Sequence, residues 1–153
     1  MDSITISKKT NDLEKLFPLL LLADPSKEKI DSYIVTSECF VLELNKEIIG
    51  VLLLQKIEIN SFEIKNIVVS EKHQNKGYGK KLIKYIINLA KNEKESRVII
   101  CTGNSSINQL GLYQKLGFRI FDIKYNYFTE NYSSSILENG ILCEHKICLE
   151  LSV

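Results

Sequence analysis

Between Glu63 and Ala90 the chain changes its hydrophobic period once, and abruptly. Ile64 to Val69 is a short run rich in β-branched residues, the pattern of a buried strand. Beyond Gly79 the apolar positions recur as Leu82, Ile83, Ile86, Ile87 and Ala90, while Lys81, Lys84, Asn88 and Lys91 fall on the opposite side. That is the 3.6-residue period of an amphipathic helix. The intervening Gln74-Asn75-Lys76-Gly77-Tyr78-Gly79 predicts a tight polar loop that delivers free backbone N–H groups to a helix N-terminus.

Elsewhere short strand and helix patterns alternate. Ser3 to Lys8 reads as a first strand, Asp12 is placed to cap a helix to about Leu22, and Pro25 or Ser26 to start another to about Val35. Cys39 to Leu44, a turn at Asn45-Lys46-Glu47, and Ile48 to Ile57 form a hairpin pattern. Ile48 to Leu54 is apolar at every position, which predicts a strand covered on both faces. After an apolar strand at Arg97 to Thr102, the N-cap residue types Asn104, Ser105 and Ser106 lead into a helix to Leu116, with Gly117 as its terminator. Gly111 costs that helix about 1 kcal/mol against Ala, so a close packing or ligand contact is expected there. A last strand is expected at Ile141 to Leu151. No linker, repeat or low-complexity tract interrupts the pattern, and one domain over residues 1–153 is the expectation.

Composition removes several classes of partner. At 153 residues the chain can bury a proper core, and 44% hydrophobic with 25% charged residues is ordinary for a globular protein. A net charge of +1 makes no case for nucleic acid. Met1 to Thr10 lacks the apolar centre of a signal peptide, and Leu19 to Ala23 is too short to span a bilayer, so no membrane partner is expected. Cys39, Cys101, Cys143 and Cys148 lie in apolar surroundings without metal-ligand spacing. They are expected to be reduced and buried, as in a cytoplasmic protein, and no metal is expected.

A helix N-terminus with glycines invites a phosphate, because its orphan N–H groups and dipole both favour an anion. A Walker A loop fails here: Gln74 stands where its first Gly belongs and Lys81 where its Ser or Thr belongs. A dinucleotide fingerprint fails at Leu82, its third Gly position. Gln-x-x-Gly-x-Gly between strand and helix remains, with glycines serving turn geometry alone as the plain alternative.

This loop resembles the acyl-CoA pyrophosphate loop of the GNAT superfamily of N-acyltransferases. Leu112-Tyr113-Gln114-Lys115-Leu116-Gly117-Phe118 resembles a second signature of that family, and Asn45 to Gly50 a weaker third. The resemblance covers roughly residues 3 to 128. It implies an α/β fold: a mixed sheet of six to seven mostly antiparallel strands with a central parallel pair, flanked by about four helices. The paired strands Ile64 to Val69 and Arg97 to Thr102 would splay, with acetyl-CoA in the opening. Its pantetheine would run along the backbone of Ile67, Val68 and Val69. Its pyrophosphate would rest on the N–H groups of Gln74, Asn75, Lys76, Gly77, Tyr78, Gly79 and Lys80. Lys72, Lys76, Lys80 and Lys81 would add positive potential, although Gln74 replaces a commoner Arg.

The implied activity is an N-acetyltransferase moving an acetyl group from acetyl-CoA to a primary amine, small-molecule or peptide, in a ternary complex without metal. A non-catalytic acyl-CoA-binding or regulatory module of the same fold is the alternative. Tyr113 would be the general acid and Glu63 the base, with Glu63 sharing a face with Lys65 and Ile67, opposite Ile64 and Asn66. Many members carry an Asn seven residues before the Tyr; here that position is Ser106, flanked by Asn104 and Asn108 as candidate cofactor contacts. His73 is expected to face solvent, and His145 to be a hydrogen-bonded structural residue. The tail resembles that of a small bacterial subgroup of unassigned substrate. Its Tyr125, Tyr127, Phe128, Glu130, Tyr132 and Glu138 either wall an amine pocket or belong to an ordinary loop. A monomer or a homodimer fits, the latter if the last strand exposes an apolar edge.

Overall fold

The computed structural model describes residues 1–153. Seven strands form one sheet in the order β1-β2-β3-β4-β5-β9-β6. They are β1 (Ile4–Lys9), β2 (Glu38–Leu44), β3 (Glu47–Glu58), β4 (Ser61–Val69), β5 (Arg97–Gly103), β6 (Arg119–Lys124) and β9 (Lys146–Ser152). A separate small hairpin joins β7 (Leu137–Glu138) to β8 (Ile141–Leu142). The helices are α1 (Phe17–Ala23), α2 (Lys27–Ile34), α3 (Tyr78–Asn92), α4 (Ile107–Lys115) and the short α5 (Tyr127–Asn131). Every ladder is antiparallel except β4 with β5.

The uninterrupted apolar run in β3 is explained by two cores. Leu52 and Leu54 pack with Leu82, Ile83 and Ile86 of α3, while Val51 and Leu53 pack with Leu20 of α1 and Ile30 of α2. Each fully buried aliphatic side chain contributes about 1.5–3 kcal/mol, so the central strand anchors both layers. The β2–β3 turn puts Asn45 and Lys46 at positive φ, the twist-matched hairpin geometry. Ser26 caps α2 by accepting from the Lys29 N–H at 3.2 Å. Asp12 does not cap in this way: it is left-handed, makes no side-chain cap, and precedes a 3₁₀ turn at Leu13–Leu16 before α1 begins.

The feature that creates a site lies in β4. Opposite β3, Leu53 pairs with Asn66 but Leu54 pairs with Ile64, so Lys65 is an extra residue, a β-bulge. Bulges bend a strand and raise its local twist. The parallel β4–β5 pairing runs from Ser61↔Arg97 only to Ile64↔Ile100 and ends there. Beyond the bulge β4 stays with β3 as far as Val69↔Gly50, and β5 stays with β9 as far as Gly103↔Lys146. The sheet is parted between them. The bulge also overturns simple alternation: Ile64 joins the α3-side core, and Asn66 instead reaches Leu20 and Tyr33 on the α1–α2 side. Ile67 returns to the α3 side.

The last strand is not an edge. β9 pairs with β5 on one side and β6 on the other, so the edge at that end of the sheet is β6, exposed throughout with Ile120, Phe121 and Ile123 open to solvent. No helix is long and apolar enough to cross a membrane.

Candidate active site

One end of the parted sheet is the loop before α3. His73 N–H bonds Ser70, Gln74 N–H bonds the Glu71 carbonyl, and the next bonded amide is Lys81, on Gly77. The N–H groups of Asn75, Lys76, Gly77, Tyr78, Gly79 and Lys80 therefore have no acceptor in the chain. Gln74 leaves the expected set, since its amide is taken and its side chain donates to the Val69 carbonyl at 2.9 Å. Gly77 sits at φ +88°, where a side chain is strained, and neither Gly77 nor Gly79 has an atom within 4 Å of where a Cβ would lie. Six unpaired amides at the start of a 15-residue helix make a concave anion site. Lys72, Lys76, Lys80 and Lys81 surround it, exposed and without carboxylate partners. Coenzyme A brings a diphosphate, so the residues present fit it. His73 is half-buried, its Nδ1 2.7 Å from Ser70 Oγ.

The other end is a cleft of about 590 Å³ reaching from the α1–α2 corner through β4 and β5 to α4. Tyr113 lines it, 4% exposed, its ring against Phe118 and its hydroxyl free of any hydrogen bond within the chain. Burial, and secondarily the Cys101 thiol, raise that phenol well above its usual range, so it stays protonated. Glu63 and Lys65 line the same cleft as an ion pair at 2.9 Å, with the second Glu63 oxygen unclaimed. Cys101 faces Cys148 across β5 and β9. A hydrogen bond from Cys101 pulls Cys148 down to about 7, while the same bond and burial push Cys101 up. Cys101 on the cleft is thus the neutral thiol, and Cys148 lies outside the lining. All four cysteines are free, and no cluster of metal-binding side chains exists.

The third wall was not legible residue by residue. Asp24 accepts from Tyr33 OH at 2.9 Å, from Tyr132 OH at 2.8 Å and from Ser26 N–H at 3.1 Å. Tyr33 in turn accepts from Asn66 Nδ2 at 3.0 Å, so α1, α2, β4 and the α5 segment meet at one carboxylate. Burial first, and the Asp24 carboxylate after it, raise the Tyr132 phenol. Burial raises Tyr33 as well. Of the six tail residues, Tyr127, Phe128, Tyr132 and Glu138 line the cleft; Tyr125 and Glu130 do not. Glu138 is held by Ser105 and Ser106 hydroxyls at 3.2 and 2.8 Å. Those serines therefore do not cap α4 by side chain; they tie the tail to the end of β5.

Asn104 is committed elsewhere. Its Oδ1 accepts from the N–H groups of Glu144 and His145, its Nδ2 donates to Leu142, and it pins the β8–β9 corner rather than facing the opening. Asn108 is exposed, unbonded and off the cleft. His145 Nδ1 accepts from Asn126 N–H at 3.0 Å, the structural role expected of it. Gly103 has no room for a side chain, since a Cβ would run into the Cys143 sulfur. Gly111 is different: no atom approaches within 4 Å of its missing Cβ, so close packing does not explain it.

Comparison with known proteins agrees with this geometry. The model of the acetyltransferase (GNAT) family matches residues 10–118. The uncharacterized N-acetyltransferase YvbK of Bacillus subtilis (strain 168) is 44% identical over 150 residues, 98% of this chain and 96% of its own. A GNAT family acetyltransferase from Elizabethkingia anophelis, solved with acetyl-CoA bound, is 48% identical with a TM-score of 0.94 over 98% of both chains. The IAA acetyltransferase from Bacillus cereus ATCC 14579 is 41% identical with a TM-score of 0.93, covering 99% of this chain and 100% of its own. With the parted sheet, the free amides and the signature helix all in place, this chain belongs to the GNAT family of acetyltransferases.

Proposed function

We propose that the protein passes the acetyl group of acetyl-CoA directly to a primary amine while both substrates are bound. The observation that carries this is the run of free amides from Asn75 to Lys80, which follows β4 past the point where the sheet parts at Lys65, the cleft that holds Tyr113 being lined by β4 and β5 at that same point. Bound acetyl-CoA supplies an activated thioester. The amides of residues 75 to 80 grip its diphosphate, and the backbone of Ile67, Val68 and Val69, left without a β5 partner, offers the pantetheine a strand edge. Its bound relative from Elizabethkingia anophelis supports the same use of the cleft.

An ammonium cannot attack until it loses a proton. Glu63 has an unclaimed oxygen in the cleft to take that proton, directly or through water, while Lys65 holds its other oxygen. Tyr113, kept protonated by burial, gives a proton to the departing sulfur. The C–N bond forms, the C–S bond breaks, and nitrogen sheds its second proton; of the two protons the ammonium has lost, one replaces the proton Tyr113 gave to sulfur and the other leaves from Glu63 to solvent. Direct attack is favoured because Cys101, the thiol beside Tyr113 on the cleft, is held neutral and is a poor nucleophile.

Calorimetry with acetyl-CoA and initial-rate kinetics of CoA thiol release test the reading. Binding heat and intersecting double-reciprocal lines are expected. Absence of heat would remove the cofactor site, and parallel lines would replace direct attack with an acyl-enzyme.

A further inference from the structure

The acceptor half of the cleft carries a charge pattern that selects a class of amine. Three carboxylates and three ammonium groups line it, yet they are not equally engaged. Asp24 accepts three hydrogen bonds, Glu138 accepts two and Glu63 is paired with Lys65. Lys29 and Lys146 have no carboxylate within 4.0 Å; both are half-buried, and both sit over the Tyr127 ring, at 6.0 and 4.5 Å from its centroid. Lys29 also lies 5.2 Å from the centre of the Tyr132 ring. An aromatic face offsets only part of the desolvation of such a cation, commonly about 0.5–2 kcal/mol. Two like charges converging on one ring in a partly closed cleft are therefore short of an anion.

Resting on the acetyl-transfer reading above, we propose that the acceptor is an amino carboxylate, whose amine is acetylated while its carboxylate is held between Lys29 and Lys146. The placement suits the reaction. Lys29 comes from α2 and Lys146 from the start of β9, so two separate elements of the lining bring their ammonium heads to the Tyr127 ring. Glu63 and Tyr113 line the same cleft from β4 and α4, so the amine end of an acceptor bound by its carboxylate would be directed at them. Tyr127 and Tyr132 supply a flat apolar surface for the part of the molecule between the two charged ends. A polyamine or an aminoglycoside would instead bring further cations against two unpaired ammonium groups. The notion that acidic residues of the tail attract a cationic acceptor loses its footing, since Glu130 is off the cleft and Glu138 is already hydrogen-bonded.

The test uses the full chain at saturating acetyl-CoA and measures thiol release with three matched sets: free amino acids of varied side chain, the same compounds as carboxamides, and the corresponding decarboxylated amines. The carboxylates are expected to show kcat/KM at least about tenfold above their partners, the worth of one charge-assisted contact. Lys29→Gln and Lys146→Gln should each raise KM for the carboxylate set about tenfold, with kcat little changed and the carboxamide rates and acetyl-CoA affinity unaltered. Equal or faster turnover of carboxamides or amines would overturn the proposal, and this comparison needs only the unmodified protein. Variants that slow all three sets alike would also overturn it. Release with no compound in any set would overturn the amine reading as well, whereas retained acetyl-CoA binding heat would leave the cofactor site standing.

Discussion

Asp24 is the place to separate the two halves of the cleft. Its carboxylate receives two phenol hydroxyls, Tyr132 from 108 residues further along the chain on the Oδ1 side and Tyr33 from 9 residues away on the Oδ2 side. Asp24→Asn keeps the shape and one carbonyl oxygen. If that oxygen takes the Oδ1 place, Tyr132 and Ser26 keep an acceptor, but Tyr33 then faces an NH₂ group. Tyr33 already accepts from Asn66, so its own proton is left without a charged acceptor. A hydrogen bond to a charged group is worth about 1.5–3 kcal/mol, and the neighbouring phenol weakens too because its acceptor becomes neutral. For a chain of this length each kcal/mol moves Tm by about 2–4 °C, so a fall of about 3–12 °C is expected. Thermal melts give that number; calorimetry and initial rates give the rest. Because Asp24 touches no part of the α3 loop, acetyl-CoA affinity should stay within about twofold while KM for the amine rises. A Tm within 1 °C of the parent, or a loss of acetyl-CoA affinity equal to the loss for the amine, would refute the reasoning on about the scale of one lost bond.

Four further outcomes are expected. Tyr113→Phe should lower kcat at least about tenfold and leave acetyl-CoA affinity nearly intact, so an unchanged kcat removes Tyr113 from the mechanism. Glu63→Gln should lower kcat at least about tenfold; an unchanged kcat would show that another group, or solvent, takes the amine proton. Gly111→Ala should raise Tm by about 2–4 °C, since it adds about 1 kcal/mol of helix propensity into open space, and a lower Tm would reveal a contact that the packing lacks. Tyr33, Tyr113 and Tyr132 all have phenols raised in the folded state by burial. Their native forms keep protons that the unfolded chain releases above pH about 10, so stability should be intact below that pH and fall as pH rises beyond it. A Tm flat from pH 9 to 11 would contradict their burial.

Much of the cofactor half was legible because it is local. A strand, two glycines and an amphipathic helix lie within one stretch of about thirty residues, and period, glycine position and missing N–H partners are all properties of neighbours in sequence. The signature helix with Tyr113 is local in the same way. Some of the detail still needed space. The Gln74 amide is spent on Glu71, and Asn104, a reasonable cofactor contact by position, is spent on the β8–β9 corner. β6 escaped notice because a strand exposed at all six positions has no alternation to read.

What the amino-acid order determined by itself was the main strands and helices, without β6, α5 and the β7–β8 hairpin, and the glycine loop before α3, while Tyr113 as candidate acid came with the resemblance. Only the tertiary structure decided where the sheet parts, because a one-residue bulge at Lys65 is a mismatch between two strands and neither strand records it alone. It also decided that β9 slips between β5 and β6, and that Asp24, Tyr33, Asn66 and Tyr132 share one hydrogen-bond network. Periodicity reports which face of an element is buried, whereas the cleft around Asp24 is made of faces from four elements that are strangers in sequence.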